Sequence, residues 1–217
     1  YLPVGSPEIS VEYLNRWGID EIIILDIEAS RFDKKLDVEL ISKCSNYCQV
    51  PLSAGGGIRN LTDITSLISA GADKVVINSA FIDTPELVSQ GAKTFGTQSM
   101  VVSIDSVIIE KGKYEAVTHG TEKSTGITPA ELARRAENSG AGEIFLNSVD
   151  RDGSKKGYDL ELLNQVRNAV TIPVIICGGV GHPDHFITGI KSGVSAVAAA
   201  NFFHFTEHSV ILAKKHM

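Results

Sequence analysis

Three segments in the first half of this chain recur in the second half, each 122 positions later. Residues 18–29 (GIDEIIILDIEA) match 140–151 (GAGEIFLNSVDR), 50–60 (VPLSAGGGIRN) match 172–182 (IPVIICGGVGH), and 70–81 (AGADKVVINSAF) match 192–203 (SGVSAVAAANFF). Solenoid repeats are much shorter, at roughly 20–50 residues. The spacing therefore predicts a duplicated half, with halves near residues 1–95 and 96–217 that form one barrel domain over residues 1–217.

Short apolar runs rich in β-branched residues alternate with amphipathic stretches along the chain. This alternation indicates βαβ units and a parallel sheet. Strands are predicted near residues 21–26, 50–54, 74–77, 100–105, 143–147, 174–177 and 196–199, with a hairpin around 107–117. Helices are predicted near 7–17, 34–47, 61–69, 85–94, 129–138, 160–168, 183–192 and 207–214. Together with the repeat, the pattern predicts an α/β fold, a (β/α)8 TIM barrel with a twofold half-barrel repeat.

The first predicted helix has no strand before it. Applied to the strand that ends in Asp105, the offset of 122 points to a position before residue 1. We therefore expect one further strand upstream, so that the first strand of the barrel is absent from this sequence. A barrel without that strand would expose two long edges, which natural sheets avoid.

Composition excludes several classes of protein. The 217 residues are 43% apolar and 21% charged, with a net charge of −6. An acidic chain does not favour nucleic acid, which usually binds a basic surface. No apolar run approaches the roughly eighteen residues of a membrane helix, and no signal peptide is visible, so we expect a cytoplasmic protein. Cys44 and Cys48 have no histidine between them and are interpreted as packed thiols rather than a metal site.

Two glycine-rich turns, at residues 55–57 and 178–179, each follow a predicted strand and precede a predicted helix. Glycine there lets backbone N–H groups approach an anion, and a helix amino end favours negative charge. Such turns often need glycine for geometry alone, but two copies at the repeat offset are stronger evidence. The strand ends at 78–79 and 200–201 would each complete a cup. The sequence therefore predicts a long substrate with a phosphate at either end.

Several aspartates lie at predicted strand ends, where active sites of (β/α)8 enzymes are found. Asp105 ends the strand VVSID, between the two proposed phosphate cups, and is the candidate for proton transfer. An isolated aspartate would more often cap the next segment. Asp26, Asp150 and Asp152 end other strands, and for Asp26 a loop-holding role is an equal alternative.

Three charged residues, Glu21, Lys74 and Glu143, begin predicted strands. They would meet at the opposite, amino-terminal mouth of the barrel. Ordinary stabilising ion pairs are one interpretation, because that face usually serves stability. A charged ring that closes an apolar barrel end is also suited to act as a gate.

The strand-end motifs resemble, in order, those of the cyclase subunit of imidazole glycerol phosphate synthase, the HisF family. The matching motifs cover the chain from residue 5 to about 214 and read GIDEIIILDIEAS, PLSAGGGIRN, GADKVVINSA, VVSID, GAGEIFLNSVDRDGSKKGYD, IPVIICGGVG and AAANFFHF. The endings DRDG…GYD and FHF separate this family from its sister barrel, the isomerase of the same pathway.

The resemblance implies an ammonia-dependent lyase of histidine biosynthesis. Ammonia from a HisH-type glutaminase subunit would pass through the barrel and attack a bisphosphorylated ribulosyl-formimino-aminoimidazole intermediate. The products would be imidazole glycerol phosphate and an aminoimidazole carboxamide ribotide, without a metal or an organic cofactor. The implied site residues are one acid/base aspartate, Asp105; one phosphate site of Gly57, Asn78 and Ser79; a second of Gly153, Gly179, Ala200 and Asn201; and three of four gate residues, Glu21, Lys74 and Glu143.

Departures from the family pattern leave alternatives open. The second catalytic aspartate and the fourth gate residue belong to the absent first strand, so the chain as written is expected to be inactive in cyclisation. Asn147 and Cys177 replace expected hydroxyl residues, and Asn201 replaces a serine. One alternative is a paralogue that passes ammonia to a sugar amidotransferase in surface-polysaccharide synthesis. Another is a non-catalytic barrel that binds and activates a glutaminase.

Overall fold

A computed structural model describes residues 5–30, 32–34, 37–205 and 208–217. The strands are β1 (Ile22–Leu25), β2 (Leu52–Gly55), β3 (Lys74–Ile77), β4 (Met100–Glu110), β5 (Lys113–Thr118), β6 (Lys123–Ser124), β7 (Glu143–Ser148), β8 (Val174–Cys177) and β9 (Ala196–Val197). Seven of them form a parallel sheet in the order β1-β2-β3-β4-β7-β8-β9, and two antiparallel strands, β5 and β6, extend from β4. All seven predicted parallel strands are present.

Helices alternate with these strands. They are α1 (Pro7–Arg16), α2 (Val38–Tyr47), α3 (Leu61–Ser69), α4 (Ser79–Asp83), α5 (Glu86–Phe95), α6 (Pro129–Asn138), α7 (Leu160–Arg167), α8 (Pro183–Lys191), α9 (Asn201–Phe205) and α10 (Ser209–His216), with a 3-10 turn at Thr97–Ser99. The helix predicted for 34–47 begins at Val38, and residues 35 and 36 lie outside the described part. Residue 207, where the last helix was predicted to begin, also lies outside it.

Local sequence explains where the helices begin. Asn60 and Asp63 form a capping box at α3, in which each side chain accepts a hydrogen bond from the other residue's backbone N–H. Asp159 caps α7 by accepting from the Leu162 N–H. Such caps satisfy amide groups that have no partner inside the helix, and each contributes about 1 kcal/mol.

The 122-residue repeat is visible in the structure. Strand β8, helix α8 and helix α9 lie 122 positions after β2, α3 and α4, with the same lengths. The two short helices α4 and α9 were not predicted, because five residues give too little periodicity to recognise. Their matching positions confirm the twofold half-barrel repeat.

The sheet separates two apolar layers. Its outward side chains pack with the helices in a large core, whereas Val76, Val101, Phe145 and Ile175 form a smaller buried cluster of their own. These four side chains lie on β3, β4, β7 and β8, on the face of the sheet that carries Asp105. The curved parallel sheet with alternating helices is a TIM-barrel-like α/β fold.

Strand β4 is longer than predicted. Instead of ending at Asp105 it continues to Glu110 and turns back through β5, so the predicted hairpin is a direct extension of a barrel strand. Within the described part of the chain, β1 and β9 are the two edges of the parallel part of the sheet. No helix there is long and apolar enough to cross a membrane.

Candidate active site

Asp105 lies on β4, the middle one of the five neighbouring strands β2, β3, β4, β7 and β8. The first glycine turn follows β2 and the second follows β8, and in the sheet β3, β4 and β7 separate them. One strand separates β4 from the strand before each turn: β3 on one side and β7 on the other. The predicted position of the carboxylate between two glycine turns therefore agrees with the strand order.

The Asp105 carboxylate is held by two side-chain amides. Asn78, directly after β3, donates from Nδ2 to Asp105 Oδ2 over 3.1 Å, and Asn147 on β7 donates to Oδ1 over 2.9 Å. Burial raises the pKa of Asp105, against the two hydrogen bonds that lower it. A carboxyl group with a raised pKa is suited to exchange protons nearer neutral pH.

Next to this pair lies Cys177, whose position on β8 is in register with Asn147. Burial raises the pKa of the Cys177 thiol to about 12, and the negative charge of Asp152 adds to this. The thiol is therefore neutral at physiological pH and acts as a weak hydrogen-bonding group, not as a nucleophile.

A cavity of about 130 Å3 connects Asp105 and Asn147 to the first glycine turn. Gly56, Gly57, Asn78 and Ser79 line it. Gly56 has a φ of 114°, and a Cβ atom there would lie 2.4 Å from the Asp26 carbonyl oxygen, so only glycine fits. The structure thus brings the first predicted phosphate cup and the candidate acid/base residue into one cavity.

Sequence reasoning missed one side of this cavity. The turn between β5 and β6 reaches over it, where Gly120 lines the cavity and the His119 N–H donates to Ser79 Oγ over 3.3 Å. The repeat gave no signal for this turn, because the positions 122 residues earlier lie before residue 1.

The second glycine turn is arranged differently. Gly179 has a φ of 98°, and its carbonyl accepts from the Gly157 N–H over 2.8 Å. A Cβ built on Gly153 would lie 3.8 Å from Asn201 Nδ2, and Ala200 directly precedes Asn201. The loop after β7 therefore lies against both the second turn and the start of α9. These residues do not line the cavity around Asp105.

Two of the other aspartates hold backbone. Asp26 Oδ1 accepts from the N–H groups of Glu28 and Ala29, at 3.0 and 3.1 Å, although Asp26 also lines the Asp105 cavity. Asp150 accepts from the Ile108 N–H over 2.7 Å and so joins the β7 loop to the hairpin. Asp150 and Asp152 are both exposed.

A second cavity, of about 440 Å3, lies between the hairpin and the start of α7. Tyr114, Arg151 and Asp159 are among its lining residues. None of the predicted phosphate-binding residues lines it, nor does Asp105. We therefore do not place the reaction there.

The three charged residues at the opposite end of the strands meet. Lys74 Nζ lies 2.8 and 3.0 Å from the two carboxylate oxygens of Glu143 and 3.1 Å from Glu21 Oε2. Burial disfavours the charged amine, but these hydrogen bonds outweigh it and the pKa of Lys74 is raised. Ser53 Oγ donates to Glu21 Oε1 over 2.7 Å, so a buried hydroxyl group that sequence reasoning missed also belongs to this cluster.

Comparison with known proteins identifies the family. The profile described as "Histidine biosynthesis protein" matches residues 3–209. This chain belongs to that family. A Vibrio vulnificus (strain YJ016) protein with the provisional name imidazole glycerol phosphate synthase subunit hisF2 is 43% identical over 219 residues, which cover 100% of this chain and 80% of the relative.

Membership of the histidine biosynthesis family agrees with the resemblance seen in the strand-end motifs. At this level the chain is a HisF-like protein of the cyclase family. The family match covers both glycine turns, Asp105 and the charged cluster around Lys74.

Proposed function

We propose that this chain is the cyclase component of an imidazole glycerol phosphate synthase. It would use ammonia to convert the bisphosphorylated ribulosyl-formimino-aminoimidazole carboxamide ribotide into imidazole glycerol phosphate and aminoimidazole carboxamide ribotide. The observation that carries the proposal is the position of Asp105 on the central strand between two glycine turns. A substrate with a phosphate at each end would then have its reacting centre at Asp105.

Asp105 is assigned as one acid/base group of the reaction. Its raised pKa and its two amide donors keep the carboxyl group oriented and able to exchange a proton. Gly57, Asn78 and Ser79 are assigned to one phosphate, and Gly153, Gly179, Ala200 and Asn201 to the other. Neutral backbone N–H groups suit a phosphate at a helix amino end.

The Lys74 cluster is assigned as the entrance for ammonia from a glutaminase partner. Between this cluster and Asp105 the inward side chains form an apolar group that includes Val76, Val101 and Phe145, with the Ser103 hydroxyl beyond it in the cavity. An apolar path would pass neutral ammonia and disfavour ammonium, because an unpaired charge is costly to bury. The partner would therefore dock at the amino-terminal ends of the strands.

The proposal is tested by an assay of the full-length protein with an ammonium salt and the bisphosphate substrate. We expect the wild type to form imidazole glycerol phosphate. We expect Asp105→Asn to lose turnover while it retains substrate affinity. Full activity of the Asp105→Asn variant would show that the acid/base assignment is wrong.

A second candidate function is that of a paralogue that passes ammonia to a sugar amidotransferase. Asn147 and Cys177, which depart from the family pattern at two strand ends beside Asp105, favour it. In that case the barrel would stimulate glutamine hydrolysis by its partner but would not consume the bisphosphate. Measuring glutamate release and bisphosphate consumption in the same reaction separates the two functions.

A further inference from the structure

Asn147 has hydrogen-bonding capacity that the fold leaves unused. One amide hydrogen binds Asp105 Oδ1 over 2.9 Å. Within the described part of the chain, no acceptor takes its second hydrogen and no donor reaches its carbonyl oxygen. Asn147 is half-buried and lines the cavity that holds Asp105. The unused donor and acceptor of Asn147 are therefore open to a ligand in this cavity.

Asn78, the other amide at Asp105, is fully used. Its Nδ2 donates to both Ser103 O, at 3.2 Å, and Asp105 Oδ2, at 3.1 Å, and its Oδ1 accepts from Ser79 Oγ over 3.2 Å. Of the two amides that hold the carboxylate, only Asn147 therefore has a donor and an acceptor to offer to a ligand.

The backbone next to Asn147 keeps this edge open. Gly178 follows the neighbouring strand β8 with a φ of 99°, and a Cβ atom there would lie 3.4 Å from Asn147 Oδ1. Cys177, directly before Gly178 and in register with Asn147, presents a neutral thiol. Neither neighbour offers a charge that would bind the amide edge in place of a ligand.

The charges around the cavity limit the kind of ligand. No lysine, arginine or histidine is among its described lining residues, whereas Asp26 and Asp105 both line it. A carboxylate placed against Asn147 would lie beside Asp105 and be repelled by it. A neutral planar group with a donor beside an acceptor matches the free edge of Asn147 in a two-hydrogen-bond pair. A carboxamide has this arrangement.

We propose that Asn147 is a specificity-determining residue that recognises the carboxamide of the ligand while it holds Asp105. The inference rests on the proposed function, since the bisphosphate substrate carries such a carboxamide. It goes further, because it assigns the recognition of that group to one amide edge. A hydroxyl side chain at this position would still hold Asp105 but would offer no paired donor and acceptor.

The test is a binding measurement by isothermal titration calorimetry on the full-length protein. The probes are aminoimidazole carboxamide ribotide, its analogue with a carboxylate in place of the carboxamide, and ribose 5-phosphate. We expect the wild type to bind the carboxamide about 10-fold more tightly than the carboxylate analogue. We expect Asn147→Thr and Asn147→Leu to lose this preference, Asn147→Gln to restore part of it, and ribose 5-phosphate to bind all four proteins alike.

Asn164→Asp is the matched control, because Asn164 is an exposed asparagine on α7, away from the cavity. An unchanged preference in Asn147→Thr and Asn147→Leu would overturn the inference. So would an equal loss for ribose 5-phosphate, or no preference in the wild type. Because binding needs no turnover, a failed cyclase assay with a retained carboxamide preference would count against the proposed reaction and not against the role of Asn147.

Discussion

Lys74 Nζ lies 2.8 Å from Glu143 Oε1, although β3 and β7 are not neighbours in the sheet. The contact spans β4, and a second contact to Glu21 spans β2 in the other direction. One ammonium group thus joins three strands at the amino-terminal end of the sheet. Its side chain is 18% exposed, which makes this an ion pair with little screening by solvent.

Lys74→Ala is expected to leave Glu21 and Glu143 as unpaired, partly buried carboxylates. We expect a loss of about 2–3 kcal/mol in the free energy of unfolding, measured by urea denaturation. If the cluster is a gate, glutamine hydrolysis by the partner should also become uncoupled from product formation. Lys113→Ala, which removes an exposed ion pair with Glu110, is the control and should change neither quantity. Unchanged coupling in Lys74→Ala would leave the cluster with a structural role only.

The raised pKa of Asp105 predicts a pH-dependent stability. Below its ordinary pKa of 3.8 the group is protonated in both folded and unfolded states and contributes no pH dependence. As the pH rises above that value, the unfolded state ionises first, so stability falls until the folded group also ionises. The wild type should therefore lose stability relative to Asp105→Asn as the pH rises from about 4. The quantity to follow is the unfolding free energy of the wild type minus that of the variant, which should decrease. Asp26, Asp152 and Cys177, the other titratable groups nearby, are the same in both proteins. A difference that grows with pH would contradict the prediction.

Asp26 can be assigned by comparing two substitutions. Asp26→Asn keeps an oxygen that can accept from the Glu28 and Ala29 N–H groups, whereas Asp26→Ala removes it. If the residue holds the loop, Asp26→Ala should lose about 1 kcal/mol of stability and much of its activity, and Asp26→Asn should stay close to the wild type. Stable Asp26→Asn protein without cyclase activity would instead indicate that the charge itself takes part in the reaction. Thermal unfolding together with the ammonium-dependent assay distinguishes these outcomes.

Gly179 is expected to tolerate no side chain. A Cβ atom would lie 2.2 Å from the Gly157 carbonyl oxygen, in a backbone conformation with a φ of 98°. Gly179→Ala should therefore cost more than about 3 kcal/mol in urea denaturation, or prevent folding. Gly126→Ala is the control, since Gly126 has a φ of 68° with nothing within 4 Å, and should cost only about 1–2 kcal/mol. Equal costs would mean that the close approach to Gly157 is not constraining.

Much of the fold was predictable because it follows from local periodicity. Apolar runs and amphipathic stretches specify strands and helices over a few residues, and the repeat specifies that the two halves are alike. The same repeat marked both glycine turns, which need positive φ angles that glycine alone adopts easily. The length of β4 was not predictable, because beyond Asp105 its pairing is with β5 and its loop contact is with Asp150.

The sequence by itself determined the strand-and-helix order, the twofold repeat, and the residue types at each strand end. The tertiary structure alone decided which of those residues touch: Asn147 and Asp105 are 42 positions apart, and Lys74 and Glu143 are 69 apart. It also decided that Asp26 and Asp150 bind backbone, and that a hairpin turn covers one side of the cavity. The reason is that hydrogen bonds and ion pairs depend on distances of about 3 Å, which only the curvature and register of the sheet set between residues far apart in the chain.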